Sequence, residues 1–498
     1  MSTGWQVLPN GSEVLAVHAA MLHTGRILYF GGDEHDRGQH MDEQLDHSRL
    51  FNCATLQVEP APSPTTDVFC AGHAMLADGR LLVAGGTESF PMEMETIHEG
   101  FTGLRDAWIF RPGPKSWVHA ASLCAEPGKD TGGGRWYPTL VTLPDGRVMA
   151  AGGIPMQIDS RMVNNSPEVF RPNPSPQGRW ELIGTDDPKN QLADYPRLHV
   201  LPDGRIFSAT PTKSAGNRRL NTATAAWAEV CARPSEGFYR GFRFTSVLLP
   251  LLPSRNHRPQ VLLLGGQQPF VIDLGASSPS WTPTGPRTLA GAPVRIHANA
   301  VLLPTGDVFV CGGVTATGDD SDTKAVMRAE LYRPATNSWF TLEPATVVRN
   351  YHSVAQLMPD GRVWTAGSNL NGMQSFPAPN VDNRELRIEL YEPKYLGQSR
   401  PEITDVPTTI TCGEQFTLET PQADSIRRVA LIRTGSVTHG FNSDQRYVAC
   451  RFERSSPSRL EVSAPPTSAI APPGYYLLFL VNQNRVPSEG RFVQVKRA

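Results

Sequence analysis

The segment YPTLVTLPDGRVMAAGG, residues 137–153, decides the fold. An apolar run meets a Pro-Asp-Gly-Arg turn, a second apolar run leaves it, and two glycines end it. Asp-Gly supplies the positive φ that a two-residue hairpin turn needs, and the Val, Leu and Met around it suit strands buried on both faces. The same unit returns as VHAAMLHTGRILYFGG (17–32), GHAMLADGRLLVAGG (72–86), PRLHVLPDGRIFSAT (196–210), FTSVLLPLLPSRNHRPQVLLLGG (244–266), HANAVLLPTGDVFVCGG (297–313) and HSVAQLMPDGRVWTAGS (352–368). With the opening copy there are seven.

Several copies are trailed by an aromatic strand, a turn and a tryptophan: DAWIFRPGPKSW (106–117), EVFRPNPSPQGRW (168–180) and AELYRPATNSW (329–339). Each unit therefore spells about four strands. This pattern resembles the kelch repeat, and seven such units imply a closed β-propeller. The last unit ends in RIELYEPKYL (387–396) with no Trp strand after it, whereas the chain opens on GWQVL (4–8). The N-terminal segment is thus expected to close the ring, and deleting residues 1–10 to leave an open sheet edge. Beyond residue 398 the repeat stops, and PEITDVPTTITCGEQFTLET and GYYLLFLVNQNRVPSEGRFVQV alternate apolar and polar residues between Pro/Gly turns. The expected architecture is all-β: a seven-bladed kelch-type β-propeller over 1–397, then a small immunoglobulin-like β-sandwich over 398–498.

Composition narrows the partner. The 498 residues carry a net charge of -2 without a basic or acidic run, which gives no footing for nucleic acid or an anionic membrane. No apolar stretch reaches the roughly 18 residues of a membrane span. A small neutral molecule is the expected partner, and a monomer the expected state. Seven scattered cysteines without a C-x-x-C pair argue against a disulfide scaffold and a zinc site. Reduced, buried thiols point to the cytoplasm, or to a secreted or periplasmic protein if an export signal has been removed.

Five side chains stand apart from what the repeat requires: Cys70 in DVFCAGHAML, Tyr137 in GRWYPTL, Tyr351 and His352 in RNYHSVAQL, and His439 in GSVTHGFNSDQR. Taken singly, each reads as core filler before ligand, and spacing alone does not settle it. Jointly, however, the chain resembles the radical copper oxidases, the family of galactose oxidase and glyoxal oxidase. That family has a Cys in the second repeat, a Tyr opening the third, a Tyr-His pair opening the last and a His in an S-V-T-H segment. All five occur here, in order and in context.

The resemblance implies one copper held by His352, His439, Tyr137 and, axially, Tyr351, with nitrogen and oxygen donors that suit tetragonal Cu(II). It implies a thioether between Cys70 and a ring carbon of Tyr137, giving a stable radical as the second redox centre. Tyr351 would take the substrate proton. The implied activity is oxidation of a primary alcohol or aldehyde hydrate, with O2 reduced to hydrogen peroxide; the alternative is a non-catalytic propeller that keeps the ligand set and binds a protein or glycan. Trp136 is a candidate to stack on Tyr137, Arg135 and Arg349 to support the site, and Tyr239, Arg240 and Arg243 to touch substrate. One departure stands out. Where galactose oxidase has a stacking Trp after the third diglycine, this chain reads Gly152-Gly153-Ile154-Pro155, and its Arg-Trp-Tyr context looks more like the glyoxal oxidase branch.

Overall fold

The computed structural model describes residues 4–32, 46–90, 100–173, 175–210, 216–234, 243–315, 322–369 and 384–498. Seven antiparallel sheets, numbered here as blades 1–7 in chain order, stand around a common centre. Six are built on the Asp-Gly or Thr-Gly hairpin, and in blade 5 a longer loop through the 3-10 turn Pro253–Arg255 takes its place. Their innermost strands begin at His18, Gly72, Thr139, Leu198, Thr245, Asn299 and Ser353. These strands are buried on both faces, which is why they read as mainly apolar runs without a clean apolar-polar alternation.

The two sequence signatures have separate jobs. Outer-strand tryptophans lock neighbouring blades: Trp117 Nε1 donates to the Pro62 carbonyl at 2.8 Å, Trp180 to Ala121 at 3.0 Å and Trp339 to Thr284 Oγ1 at 3.0 Å, each reaching back towards the preceding blade. The diglycines instead let backbones pass. Gly85 has φ 81°, and a Cβ there would lie 2.2 Å from the Arg135 carbonyl at the start of blade 3.

The N-terminal strand Gly4–Val7 pairs antiparallel with Glu389–Glu392 and completes blade 7, placing Trp5 opposite Tyr391. Trp5 also donates to the Glu343 carbonyl of blade 6 at 3.0 Å, as the other blade tryptophans do to their neighbours.

The C-terminal sheet has seven strands, in the order Thr409–Thr411, Arg491–Lys496, Gly474–Asn482, Ile426–Arg433, Tyr447–Ser456, Arg459–Ser463 and Gln415–Glu419, folded as a β-sandwich. Between Ile426–Arg433 and Tyr447–Ser456 the chain leaves this sheet and enters the propeller. Its short strands Ser436–Thr438 and Phe441–Asn442 extend blade 1, with Thr438 opposite His18. Buried Asp444 anchors the base of this hairpin, accepting from the Met75 amide at 2.7 Å, Thr142 at 3.0 Å and Arg433 at 3.2 Å. Contacts with blades 2, 3 and 6 through His73, Thr142 and Leu302 put the hairpin at the centre of the ring.

Candidate active site

At the hairpin tip, His439 meets the openings of the blades. Cys70, Tyr137 and His352 each sit just before an innermost strand, with φ of 61°, 63° and 61°; His439 has φ 49°. Left-handed backbone at a non-glycine residue costs on the order of 1–3 kcal/mol. Here it turns each side chain inward, and inter-blade hydrogen bonds hold it: the Tyr137 amide donates to the Cys70 carbonyl at 3.0 Å, and the Tyr195 amide to Tyr137 at 2.8 Å.

The two imidazoles converge. His352 Nε2 lies 3.1 Å from His439 Nε2. Asn369 Oδ1, an acceptor only, lies 2.7 Å from His352 Nδ1 and so takes its proton. The Thr438 hydroxyl donates to the Val17 carbonyl at 2.9 Å, which leaves its oxygen to accept from His439 Nδ1 at 2.7 Å. Both rings therefore carry hydrogen on Nδ1 and aim an Nε2 lone pair at one point. Burial first, and His352 second, push the His439 imidazole well below its usual range, so it stays neutral and able to ligate.

Phenol oxygens complete the donor set. The Tyr137 and Tyr351 hydroxyls touch, and the Tyr351 ring packs on His352 with centroids 3.8 Å apart. Burial drives the Tyr137 phenol well above its usual range, so the ring ionises only where a cation stabilises the phenolate. Cys70 Sγ is 3.9 Å from His439 Nε2 and packs in one cluster with Tyr137, Tyr195, Tyr351 and Trp136.

These donors fit copper. Metal–imidazole bonds of about 2.0–2.1 Å at a right angle put the two nitrogens about 2.9 Å apart, close to the separation seen here. Two neutral imidazoles with two phenol oxygens form the mixed nitrogen and oxygen set that tetragonal Cu(II) takes.

Residues 31–395 match the family described as Glyoxal oxidase N-terminus. The chain belongs to the glyoxal oxidase family. Residues 400–495 match the Galactose oxidase-like, Early set domain. The chain is 29% identical to "Aldehyde oxidase GLOX" of Vitis pseudoreticulata over 99% of its own length and 97% of the relative's. It is 25% identical to a galactose oxidase of Gibberella zeae over 86% of this chain and 61% of that protein. Among solved structures, a fungal alcohol oxidase of the AA5 family in complex with copper superposes with a TM-score of 0.77 over 99% of this chain and 100% of that one, at 21% identity, which shows a shared fold.

Trp136 bears on the departure from galactose oxidase at Gly152-Gly153-Ile154-Pro155. Its indole stacks on Tyr137 at 3.7 Å and 8°, and Phe101 stacks behind it at 4.4 Å and 18°. An aromatic cover over Tyr137 thus comes from the adjacent residue, while Ile154 bridges to Trp136 through the backbone and packs against the same cluster.

Other candidates serve the scaffold. Arg135 binds Glu168 and the carbonyls of Gly152, Asn164 and Ser166, stapling blade 3. Arg349 does the same in blade 7 through the Gly367, Thr365 and Arg387 carbonyls. Arg243 lends its backbone carbonyl to the His297 amide at 2.8 Å, while Tyr239 and Arg240 lie outside the described residues.

Two aromatic residues at the site escape motif reading. Tyr195 lies 4.3 Å from the His439 ring and 4.5 Å from Tyr137, and His297 lies 5.0 Å from Tyr351. Their signal is positional. Cys70, Tyr137, Tyr195, His297 and His352 all stand eight residues before their turn residue, Asp78, Asp145, Asp203, Thr305 and Asp360. Aligning the copies on that turn yields all five inward-facing positions at once.

Proposed function

We propose that this chain is a copper-dependent oxidase that converts a primary alcohol or an aldehyde hydrate to the carbonyl product while reducing O2 to hydrogen peroxide. His352, His439, Tyr137 and Tyr351 would hold a single copper. The observation that carries the reading is the facing Nε2 pair of His352 and His439, with both Nδ1 protons committed elsewhere. When bound, copper supplies a Lewis-acidic position for substrate oxygen and a one-electron couple.

The chain's own residues supply the rest. Removing two hydrogens from a carbinol takes two electrons, one more than a single copper accepts. Cys70 and Tyr137, joined from sulfur to ring carbon with loss of two hydrogens to an oxidant such as O2, would form the second one-electron centre. Their shared cluster supports this pairing. Trp136, backed by Phe101, covers the buried Tyr137 ring and would keep water from it. Tyr351 would take the substrate hydroxyl proton, a role its hydroxyl contact with Tyr137 supports. The balance closes as RCH2OH + O2 → RCHO + H2O2 for an alcohol and as RCH(OH)2 + O2 → RCOOH + H2O2 for an aldehyde hydrate.

The test is aerobic copper loading followed by intact-mass measurement and a peroxide-coupled assay over glyoxal, methylglyoxal, galactose and aryl alcohols. Peroxide from glyoxal or methylglyoxal in preference to galactose supports the reading. A chain that binds one copper yet keeps its full mass and yields no peroxide would be the non-catalytic alternative.

A further inference from the structure

A guanidinium sits directly behind one of the metal-binding histidines. Arg197, at the entrance to the innermost strand of blade 4, is fully buried. Its Nη2 donates to the His439 carbonyl at 2.8 Å, its Nε to the Phe244 carbonyl at 2.9 Å and its Nη1 to the Tyr195 carbonyl at 3.3 Å. The guanidinium carbon also lies 5.1 Å from the ring centre of Phe441, two residues beyond His439. One side chain thus joins the start of blade 4, the start of blade 5 and the tip of the C-terminal hairpin.

That tip has a positional problem. His439 reaches the site from another sheet, 242 residues from Arg197 in sequence, and holds a left-handed φ of 49°. Such a conformation persists only where its surroundings fix it. The hairpin's anchor at Asp444 lies at its base, whereas near the tip the Gly440 carbonyl accepts from Thr245 at 3.0 Å and the His439 carbonyl accepts from Arg197. A guanidinium is suited to this because its planar fork serves several carbonyls at once.

We propose that Arg197 is a positioning residue for His439, fixing the hairpin tip at the angle from which Nε2 meets His352. This rests on the reading of His439 as a copper ligand. Without the guanidinium, the His439 peptide relaxes and the imidazole swings away from its partner. Outer-shell contacts of this kind typically govern metal affinity by about 10- to 100-fold.

The fold provides a matched control. Arg446 is likewise buried and likewise spends its guanidinium on carbonyls, those of Ala469, Ile470 and Val200, and so ties sandwich to propeller without touching the site. The experiment compares wild type, R197M, R197K and R446M by thermal melting, copper affinity from chelator competition, Cu(II) EPR and steady-state kinetics. R197M is expected to bind copper at least about tenfold more weakly, with altered nitrogen coupling and a fall in kcat larger than any rise in KM, and R197K to recover part of each. R446M is expected to melt earlier while keeping wild-type affinity and EPR. Wild-type affinity and EPR in R197M overturn the proposal, as does an equal change in R446M. Should R197M fail to fold, R197K decides: weaker copper binding in a folded chain supports the role, and unchanged binding overturns it. A wild-type chain that binds no copper removes the oxidase reading, and this inference with it.

Discussion

His352 and His439, 87 residues apart in sequence, face each other through Nε2 at 3.1 Å. One is carried by the first turn of blade 7 and the other by a hairpin from the C-terminal sheet, so their meeting depends on how the two parts of the chain dock. Both Nδ1 atoms are committed, to Asn369 and Thr438, which fixes the tautomer that leaves Nε2 as a donor.

Removing those commitments should loosen the metal without unfolding the chain. N369A and T438V are each expected to weaken copper binding by about 10- to 100-fold. Chelator competition measures it, and wild-type affinity in both variants would falsify the assigned tautomers.

Joining Cys70 to Tyr137 removes two hydrogens. After aerobic copper loading the intact chain should weigh about two mass units less than its sequence, and C70A should keep its full mass and lose the radical's visible absorption. An unchanged wild-type mass would leave Cys70 as an ordinary buried thiol.

The stack on Tyr137 separates packing from protection. W136A should cost about 3–5 kcal/mol, the usual penalty for emptying a large aromatic site. W136F keeps an aromatic face on Tyr137 and should cost less while shortening the radical's lifetime. Equal radical decay in wild type and W136F would mean that the indole only fills space.

Removing residues 1–8 takes the fourth strand from blade 7 and the Trp5 bond to Glu343. The truncated chain should melt earlier and aggregate through the exposed edge of Glu389–Glu392. Unchanged melting and a monomeric elution profile would show that three strands suffice.

Acid should destabilise the chain well above the carboxylate range. Burial lowers His73 and His199 from 6.5 to about 3, and lowers His18 too. The unfolded chain binds protons at these imidazoles below pH 6.5 while the folded chain does not. Stability is therefore fully present above pH 6.5 and falls, by about 1.4 kcal/mol per pH unit for each imidazole, as pH drops towards 3. Melting temperatures at pH 7 and pH 5 test this: H199N should narrow the gap, and no gap in the wild type would contradict it.

The seven strand pairs and the diglycines that end five of them were legible because they are local: a turn needs its φ and a buried strand its apolar run. Tyr137, Tyr351, His352, Cys70 and His439 were legible as a motif but not as geometry, since each alone reads as core filler. Tyr195 and His297 were hidden in plain repeats, and only the shared offset from the turn exposes them. Arg197 and Asn369 gave no signal at all, and Thr438 was legible only as part of the S-V-T-H segment that carries His439. Arg197 reaches the His439 carbonyl 242 residues away and Asn369 the His352 ring 17 residues back, and residue order does not carry such pairings.

For the stretch 137–153, sequence by itself determined a strand, a turn, a strand and a backbone able to pass its neighbour at the glycines. Tertiary structure decided what the stretch does, because ring closure brings the left-handed Tyr137 beside Cys70 of the previous blade, Tyr351 of the last and the tip of an inserted hairpin. Local propensities act over a few residues, whereas a metal centre of this kind exists only where separately folded segments converge.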